Sequence, residues 1–534
     1  MHFSTLSLAA SAVLFAATST TSAAALPVSN EANSAVRVAL VRSENGQLAQ
    51  LKRTGGLNLE RRAQTASLFN ALGREYFIEV GIGTPAQIFN LTLDTGSAEL
   101  WVPSTSCPST TCPYQRFDSS KSSTYKGTNT AFKIQYGIGS AEGTYARETV
   151  MVGNAKVENQ TIGLAKSTKD ILGVVSSGEQ ANGIFGLGFP GLNAARGASN
   201  VTPFAFNLMP KLENPIFSVF LNKHFSFGYS GEVMFGGTDS SKYTANIEYV
   251  PVASYDLTGY NVSPLLGSKA SQKGTYLYWT VPGQGIAAGS YSENFSDLQG
   301  LILDTGTTLT MIPQKYVEGI LNAIAPGKYV YSAVNGVYSV DCGLASSSET
   351  VKIHLSTSNS AASSTPVTIT TPVSELVIPL DTDYLETATT CVFGITSSGT
   401  TEASSGQTWI IGEATLRAVY TVHDMKNNRV GLAPANFNGK VAMSSSPHNA
   451  TAASTTKGNT SSSAATNAAN STTTTTSSSP SSANNGNDSA AEGSGASKNN
   501  MNSSDEVSSA ASATITLARV TFAVSLAVSA SLLL

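Results

Sequence analysis

The chain has 534 residues, of which 12% are charged, and its formal net charge is -4. This length exceeds what one ordinary hydrophobic core supports, so we expect two packed units, or one large two-lobed domain with tails. The low charge content excludes the basic footprint of a nucleic-acid-binding protein and a polybasic membrane surface.

The N-terminus has the pattern of a secretory signal peptide. An apolar stretch at residues 6–17 precedes the small-residue run Ser-Ala-Ala-Ala at residues 22–25. We therefore predict a signal peptide at residues 1–25, which sends the chain into the secretory pathway. The alternative is a buried N-terminal helix, which suits a short, uncapped segment with a cleavage-like end less well.

Residues 26–62 form a basic leader ahead of a more acidic chain. They carry six basic and three acidic residues, including the dibasic pairs at 52–53 and 61–62. Dibasic steps invite processing, and a basic leader can cover an acidic surface, so we predict an inhibitory propeptide at residues 26–62. A solvated charge run without a role is the alternative.

The segment from residue 76 to residue 437 indicates mostly β structure. It is rich in Val, Ile, Tyr, Phe and Thr, in short runs broken by Gly, Pro, Asn and Ser. Helical patterns are short, and the best cover residues 203–212 and Gln314–Ile324. We expect an all-β fold whose two lobes occupy residues 63–245 and 246–440.

An internal duplication organises this segment. Leu-Asp-Thr-Gly-Ser at residues 93–97 returns 210 residues later as Leu-Asp-Thr-Gly-Thr at residues 303–307. Each Asp is followed nine residues on by a proline, Pro103 or Pro313. A second echo follows each turn, Ile-Phe-Gly at 184–186 and Ile-Ile-Gly at 410–412. The repetition predicts two related lobes, each with one Asp at the end of a buried strand.

The two aspartates, Asp94 and Asp304, are the candidate catalytic pair. Two carboxylates brought together in a cleft cannot comfortably both ionise, so the pair shares a proton and supplies one base and one acid. Such a pair can activate water against a peptide bond at acidic pH without forming a covalent enzyme adduct. A lone Asp-Thr-Gly is usually an ordinary turn, but two copies in matching contexts favour catalysis.

The neighbours of each Asp have candidate supporting roles. Gly96 and Gly306 give the tight turns that lift the carboxylates toward the lobe interface. The hydroxyls of the other turn residues hold the geometry. Ser97 and Thr307 are placed to hydrogen-bond the carboxylates. Thr95 and Thr305 are placed to tie one turn to the backbone of the other lobe.

The four cysteines point to two disulfides in an oxidising compartment. Cys107 and Cys112 are close enough for a small loop, which leaves Cys342 and Cys391 for a longer one. Sequence alone leaves three pairings open.

The sequence indicates no metal or cofactor site. No histidine lies at ligand spacing beside the cysteines. The Gly-rich run at residues 186–191 spells a dinucleotide-binding pattern, but Pro190 does not suit a helix that opens onto a pyrophosphate. We expect no cofactor, and we place His423, beside Asp424, at the surface end of a strand.

The C-terminal tail has two parts. Residues 441–510 are dominated by Ser, Thr, Asn and Ala, which predicts a disordered, O-glycosylated stalk. Residues 520–534 lack charge and as a helix would reach about 22 Å, against about 30 Å of hydrocarbon in a bilayer. We therefore predict a removable GPI-attachment signal at residues 511–534, with Asn502 as the attachment residue; Ser508 and Ser509 satisfy the small-residue rule nearly as well.

Several of these motifs resemble the pepsin family of aspartic proteases. The resemblance covers residues 76–437 and is carried by YFIEVGIGTPAQ from residue 76, LDTGSAELWVPS from residue 93, ANGIFGLGFP from residue 181 and WIIGE from residue 409. It implies a bilobal fold with two pseudo-symmetric β lobes around a central cleft. It also implies protein or peptide substrates and a monomeric enzyme.

The resemblance implies further site residues. The family's flap tyrosine corresponds to Tyr136, followed by Gly137 and Ile138, and Trp101 corresponds to the residue whose indole supports that tyrosine. By periodicity alone, Tyr136 and Trp101 would be read as ordinary strand aromatics. The family's small and large disulfide loops match the pairings Cys107 with Cys112 and Cys342 with Cys391.

The leader, stalk and tail together resemble the fungal yapsin or candidapepsin-like subgroup, whose members are GPI-anchored at the plasma membrane or cell wall. Members that cut beside Lys or Arg carry an acidic residue two positions after the flap tyrosine, and here that residue is Ile138. We expect a broad or hydrophobic preference, although Glu142 nearby could recruit a basic side chain. A catalytically silent wall or adhesion protein is the alternative function.

Overall fold

The computed structural model describes residues 35–42, 76–137, 139–172, 181–195, 197–198, 200–223, 229–258, 262–333, 335–382, 385–399 and 408–438. The predicted signal peptide, stalk and GPI signal lie outside these residues, as do Ile138 and Asn502. The dibasic pairs of the predicted propeptide lie outside them as well. Among the described residues, no helix combines the length and apolar character needed to cross a membrane.

The described chain is built mainly from strands. The first half of the chain contributes β1 to β10, which are Val36–Arg42, Tyr76–Ile82, Gln87–Asp94, Leu100–Pro103, Lys126–Gln135, Ser140–Val152, Ala155–Lys169, Ile184–Gly186, Ile216–Leu221 and Tyr229–Phe235. Residues from 248 onward contribute β11 to β26, which are Glu248–Pro251, Tyr255–Asp256, Ser263–Pro264, Thr280–Ala288, Tyr291–Leu303, Thr310–Ile312, Tyr329–Ser332, Val337–Val340, Thr350–Leu355, Val367–Pro372, Val377–Pro379, Cys391–Phe393, Ile395–Ser397, Thr408–Ile411, Val419–Asp424 and Arg429–Pro434.

Alternation of side chains explains why these runs form half-buried strands. In β20, Val-Thr-Ile-Thr-Thr-Pro, buried and exposed residues alternate along the whole strand. Successive side chains of a strand point to opposite faces, so the β-branched residues at every second position pack into the core. β3 instead ends in four consecutive buried residues, Leu-Thr-Leu-Asp, because that strand enters the middle of the molecule.

A 13-stranded sheet runs through the first lobe and across to the second. Its order is β11-β26-β25-β9-β10-β1-β2-β3-β8-β4-β7-β6-β5. The part from β11 to β10 mixes strands from the two halves of the chain, so it joins the lobes through backbone hydrogen bonds. The remaining strands form the body of the N-terminal lobe.

The second lobe has a sheet of its own with a related core. Its seven strands follow the order β20-β19-β14-β15-β24-β16-β23, beside a four-stranded sheet, β17-β18-β22-β21. In the first lobe β3 pairs in parallel with β8, which pairs antiparallel with β4. In the second, β15 pairs in parallel with β24, which pairs antiparallel with β16. This shared arrangement confirms the predicted bilobal, mostly β fold.

β1 belongs to the segment predicted as propeptide, yet it is an inner strand of the large sheet. Val36 to Val41 pair with β10, and Leu40 to Arg42 pair with β2. Arg37 on this strand contacts Asp239 at 2.5 Å and Glu232 at 3.4 Å. Residues 36–42 of the predicted propeptide are therefore attached to the rest of the described fold by a backbone ladder and by ion pairs.

The helices are short: α1 is Pro190–Ala195, α2 Phe204–Leu208, α3 Gln314–Ile324, α4 Val373–Leu376 and α5 Glu413–Leu416. α2, with a 3-10 turn at Met209–Lys211, lies within the predicted stretch 203–212, and α3 has the predicted bounds. α3 buries Tyr316, Val317, Ile320 and Leu321, which share one helical face.

Both expected disulfides are present. Cys107 is bonded to Cys112, and Cys342 is bonded to Cys391. The first closes a loop just after β4, and the second ties the start of a 3-10 turn to β22. This result confirms the pairing that the family resemblance implies.

Candidate active site

The two Asp-Thr-Gly turns lie at equivalent places in the two lobes. Asp94 is the last residue of β3, and Asp304 directly follows β15. The second echoes in the sequence are the neighbours of these strands: β8 pairs with β3 so that Gly186 lies opposite Asp94, and β24 pairs with β15. The Asp304 N–H also donates to the Ile411 carbonyl, at 3.0 Å. The sequence duplication is therefore a duplication of one strand pair with one Asp-Thr-Gly turn.

The glycines of the second echoes lie where the chain passes very close to each turn. A Cβ on Gly186 would lie 2.6 Å from the backbone carbon of Ala98, and a Cβ on Gly412 would lie 2.4 Å from the Leu309 oxygen. Real Cβ atoms do not approach other atoms so closely, so only glycine fits either position. This steric limit explains why each echo ends in glycine.

Thr95 and Thr305 join the two turns by reciprocal hydrogen bonds. The Thr95 hydroxyl donates to the Leu303 carbonyl at 2.7 Å and accepts from the Thr305 N–H at 3.0 Å. In return, the Thr305 hydroxyl donates to the Leu93 carbonyl at 2.7 Å and accepts from the Thr95 N–H at 3.1 Å. Both side chains are buried. Each turn is therefore held in position by the backbone of the other lobe.

Each carboxylate is also held by its own turn. Asp94 accepts from the Gly96 N–H at 2.8 Å, the Ser97 N–H at 3.1 Å and the Ser97 hydroxyl at 2.5 Å. Asp304 accepts from the Gly306 N–H at 2.8 Å and the Thr307 hydroxyl at 2.6 Å. These bonds fix both rotamers and orient the carboxylates before any substrate arrives.

Gly96 and Gly306 let the carboxylates meet. A Cβ on Gly96 would lie 2.5 Å from the carboxyl atoms of Asp304, and a Cβ on Gly306 would lie 2.5 Å from an Asp94 carboxylate oxygen. Each carboxylate therefore lies directly against the glycine of the opposite turn. Besides forming the tight turns, these glycines make room for the partner's carboxylate.

Burial and proximity change the acidity of the pair. Asp94 and Asp304 are 6% and 8% exposed, and their side chains are within hydrogen-bonding reach of each other. Loss of solvation on burial, with the nearby charge of Asp304 as a smaller cause, raises the pKa of Asp94 well above its ordinary value. Hydrogen bonds from Ser97 and Gly96 oppose this rise without cancelling it. The pair therefore retains a proton under conditions in which an isolated Asp has lost it.

The expected flap residues lie where the β5–β6 hairpin turns. Tyr136 and Gly137 follow β5, and the Tyr136 N–H donates to the Gly139 carbonyl at 2.7 Å. The indole N–H of Trp101, a fully buried residue of β4, donates to the Tyr136 hydroxyl at 2.8 Å. Trp101 also packs against Phe132 on the same hairpin. The structure thus brings the expected tyrosine and tryptophan together.

Glu142, considered above as a recruiter of basic side chains, already has a partner on this hairpin. Its carboxylate lies 2.9 Å from the ammonium group of Lys133 on β5, and the two residues are directly paired across the strands. Both side chains are exposed, so the ion pair contributes little to stability. It does reduce the negative charge that Glu142 can offer to a substrate.

Two residues near the catalytic turns escaped the sequence reasoning. The Trp279 indole donates to the Leu187 carbonyl at 2.9 Å and so adds a contact between the lobes. His423, expected at a surface strand end, is only 1% exposed, and that expectation was wrong. β25 lies between β9 and β26, and all six of its residues are buried, with the His423 ring stacked on Phe217 of β9. No local pattern identifies an inner strand that is completed by a partner from the other half of the chain.

Two lobes that each supply one Asp-Thr-Gly turn, joined so that two carboxylates meet, define an aspartic protease. The family described as eukaryotic aspartyl protease matches residues 75–435, and the chain belongs to this family. It is therefore an aspartic endopeptidase, a hydrolase of peptide bonds. The expected enzyme class and the resemblance to pepsin are both confirmed.

Similar proteins and structures agree with this assignment. Gastricsin of Rattus norvegicus is 32% identical over 361 residues, which cover 67% of this chain and 80% of gastricsin. Vacuolar protease A of Arthroderma otae is 32% identical over 369 residues, or 68% of this chain and 80% of that protein. The crystal structure of the aspartic proteinase from Irpex lacteus shares the fold, with a TM-score of 0.54 at 23% identity, covering 76% of this chain and 98% of that one.

Proposed function

We propose that this protein is a secreted, GPI-anchored aspartic endopeptidase of the yapsin-like kind, in which Asp94 and Asp304 activate water against a peptide bond at acidic pH. The observation that carries the proposed catalytic roles is the meeting of the two carboxylates, each held by its own turn and lying against the glycine of the other.

The proposed reaction uses the shared proton. The ionised carboxylate takes a proton from a water molecule, whose oxygen forms a bond to the peptide carbonyl carbon. The protonated carboxylate donates its proton to the carbonyl oxygen, giving a neutral tetrahedral gem-diol. The carboxyl group that took the water's proton then gives it to the amide nitrogen, while the other carboxylate takes a proton from one gem-diol hydroxyl. The C–N bond breaks and an amine and a carboxylic acid are released, with one proton again shared by the pair. The turn hydrogen bonds keep both acids oriented throughout.

Acidic pH favours the active form of the pair. Activity requires one proton on the two carboxylates, and raising the pH past the elevated pKa of Asp94 removes that proton. The alkaline limb of the pH profile therefore reports loss of the acid. A rate maximum above neutrality would contradict this part of the proposal.

For the substrate cleft, we propose that Tyr136 and Gly137 form a flap supported by Trp101, and that side chains around the cut bond are broadly selected or hydrophobic. The proposal rests on the Trp101–Tyr136 hydrogen bond, the apolar residue Ile138 and the ion pair that occupies Glu142. Profiling cleavage of a peptide library tests it. A profile dominated by paired basic residues would overturn the proposed preference.

The decisive experiment measures cleavage of a denatured protein by the processed chain from about pH 3 to about pH 7. We expect activity that pepstatin blocks and that Asp94→Asn abolishes. The matched control is Asp297→Asn, which changes an exposed Asp on the strand that leads to Asp304. A folded wild-type protein that cleaves nothing at any pH would instead favour a catalytically silent surface protein.

The proposed anchor and processing are tested separately. Phosphatidylinositol-specific phospholipase C should release the protein from membranes of an expressing fungal cell. Mass spectrometry of the released protein should then identify the C-terminal residue that carries the anchor. We expect that residue to be Asn502, and a Ser at 508 or 509 would move the attachment point. Retention after phospholipase treatment and after mild detergent would point to a wall linkage.

A further inference from the structure

A small cavity lies beneath the catalytic turns, on the side of the Thr95 and Thr305 pair. Both threonines line it, and below them lie side chains of β9 and β25, including Val219, Thr421 and His423. It offers about 10 Å³ of room for the centre of a water molecule, which is roughly what one water needs. The cavity is therefore a space between the catalytic turns and the sheet that joins the lobes.

His423 faces this cavity without a well-aligned hydrogen bond. The residue is 1% exposed, and neither ring nitrogen makes a hydrogen bond of normal geometry; the nearest backbone group that could accept from the ring belongs to Phe217. Its ring stacks on Phe217 at 4.4 Å with an angle of 7° between the planes, and Trp279 packs edge-on at 4.8 Å. The aromatic contacts fix the plane of the ring but leave its nitrogens without a well-aligned hydrogen bond, which is costly in a buried site.

The threonines have capacity for a further bond. Each hydroxyl donates to one carbonyl and accepts from one N–H, as described above. A hydroxyl oxygen has two lone pairs, so each threonine retains one acceptor position. A molecule that bonds a His423 nitrogen and donates to a threonine hydroxyl would satisfy both requirements.

The lining decides which molecule fits. Apart from the neutral imidazole, the lining side chains are threonines and aliphatic residues, and none of them carries a charge. Among the described residues, no group of three or more His, Cys, Asp or Glu is placed to hold a metal ion. A charged ligand would lack compensation here, whereas water can both donate and accept.

We propose that this cavity holds one water molecule bonded to His423, and that His423 thereby acts as a positioning residue for the Thr95 and Thr305 pair. The positioning role rests on the proposed function, since the threonines set the separation of Asp94 and Asp304. The water completes a chain from the imidazole to the hydroxyls that join the turns. Small displacements of catalytic groups are expensive in rate, so loss of this support lowers kcat.

The first test is a crystal structure of the processed wild-type protein at a resolution that shows ordered water. We expect a water within hydrogen-bonding distance of a His423 ring nitrogen, inside the cavity. Density for an ordered protein without that water overturns the proposed site. This test needs neither activity nor a variant, so it remains informative if the proposed function fails.

The second test compares His423→Phe, which keeps the aromatic packing, with His423→Gln, which keeps hydrogen bonding. We expect His423→Phe to lower kcat by about tenfold with KM nearly unchanged, and His423→Gln to recover most of the loss. His354→Phe, a half-buried histidine on β19, is the control. A folded His423→Phe with wild-type kcat, or no recovery by His423→Gln, overturns the positioning role. Failure of the proposed function would appear in the wild-type enzyme itself.

Discussion

The two Asp-Thr-Gly turns have the same backbone arrangement but differ in the groups that surround each aspartate. The described structure gives Asp94 three hydrogen bonds from its own turn and Asp304 two. The hairpin that carries Tyr136 belongs to the first lobe alone, and its support, Trp101, follows the first turn. The difference teaches that the duplicated backbone brings the two carboxylates together. Groups present in the first lobe alone make the surroundings of Asp94 differ from those of Asp304.

The glycines give the strongest test of the shared backbone. Gly96→Ala and Gly306→Ala each place a methyl group 2.5 Å from the opposite carboxylate. Because the carboxylates must move apart, we expect each variant to lower kcat/KM by more than about 100-fold. Peptide hydrolysis by variants that still unfold cooperatively provides the measurement, and the control is Gly343→Ala, at an exposed position where a Cβ would meet only the side chain of Asp341. Near-normal activity in either variant would break the proposed equivalence of the turns.

The second prediction concerns His423, which lies beside the cavity beneath both turns. Burial lowers the pKa of His423 to about 3, from an ordinary value of 6.5. Between these pH values the unfolded chain binds a proton that the folded chain does not, so this residue costs stability as the pH falls, by up to about 1.4 kcal/mol per pH unit. His423→Phe should therefore lose less stability than wild type between pH 6.5 and pH 4. Parallel curves of unfolding free energy against pH for the two proteins would contradict this prediction.

The threonine pair tests the symmetry at smaller cost. Thr95→Val and Thr305→Val each remove a hydroxyl that donates once and accepts once across the lobes. We expect equal losses of about 1–3 kcal/mol in the free energy of unfolding, because each change leaves buried backbone groups unpaired. Urea denaturation measures them, with the exposed Thr370→Val of β20 as the control. Clearly unequal losses would show that one lobe carries the junction.

The smallest expected effect concerns the extra bonds to Asp94. The Ser97 hydroxyl opposes the rise in the pKa of Asp94, so Ser97→Ala should raise that pKa further. The alkaline limb of the kcat/KM profile should then move to higher pH by less than about one unit. Ser296→Ala, at an exposed position on β15, serves as the control. A limb that moves to lower pH would contradict the assignment of that limb to the dyad.

Sequence reasoning recovered those features that a local pattern records. The two Asp-Thr-Gly turns and their echoes can be recognised in the sequence because only glycine fits where the chain passes close to each turn, as at Gly186 and Gly412. The helix Gln314–Ile324 was predictable from the spacing of its buried face. Pairing of the cysteines required the family resemblance, since spacing alone left three possibilities open.

The features that escaped depend on distant parts of the chain. β25 pairs with β9, a strand more than 190 residues earlier, and Phe217 of β9 stacks on the His423 ring. The neighbours of His423 in sequence therefore could not reveal its surroundings. Likewise, the placement of Val36–Arg42 inside the large sheet follows from β10 and β2, not from the charge pattern that marked the leader. The local composition marks the leader as a separate segment but does not indicate the strands with which it pairs.

The reciprocal threonine contact has the form of an isologous interface, in which each side offers the same groups and receives the same groups in return. Such a contact ordinarily belongs to a two-fold dimer, yet here both partners lie in one covalent chain. Neither half can complete its own turn, because the carbonyl and the N–H that it needs are supplied by the other. The two halves, expressed separately, would therefore each have unpaired polar groups at their contact face. Only when they are mixed could each turn regain the hydrogen bonds that the other half supplies.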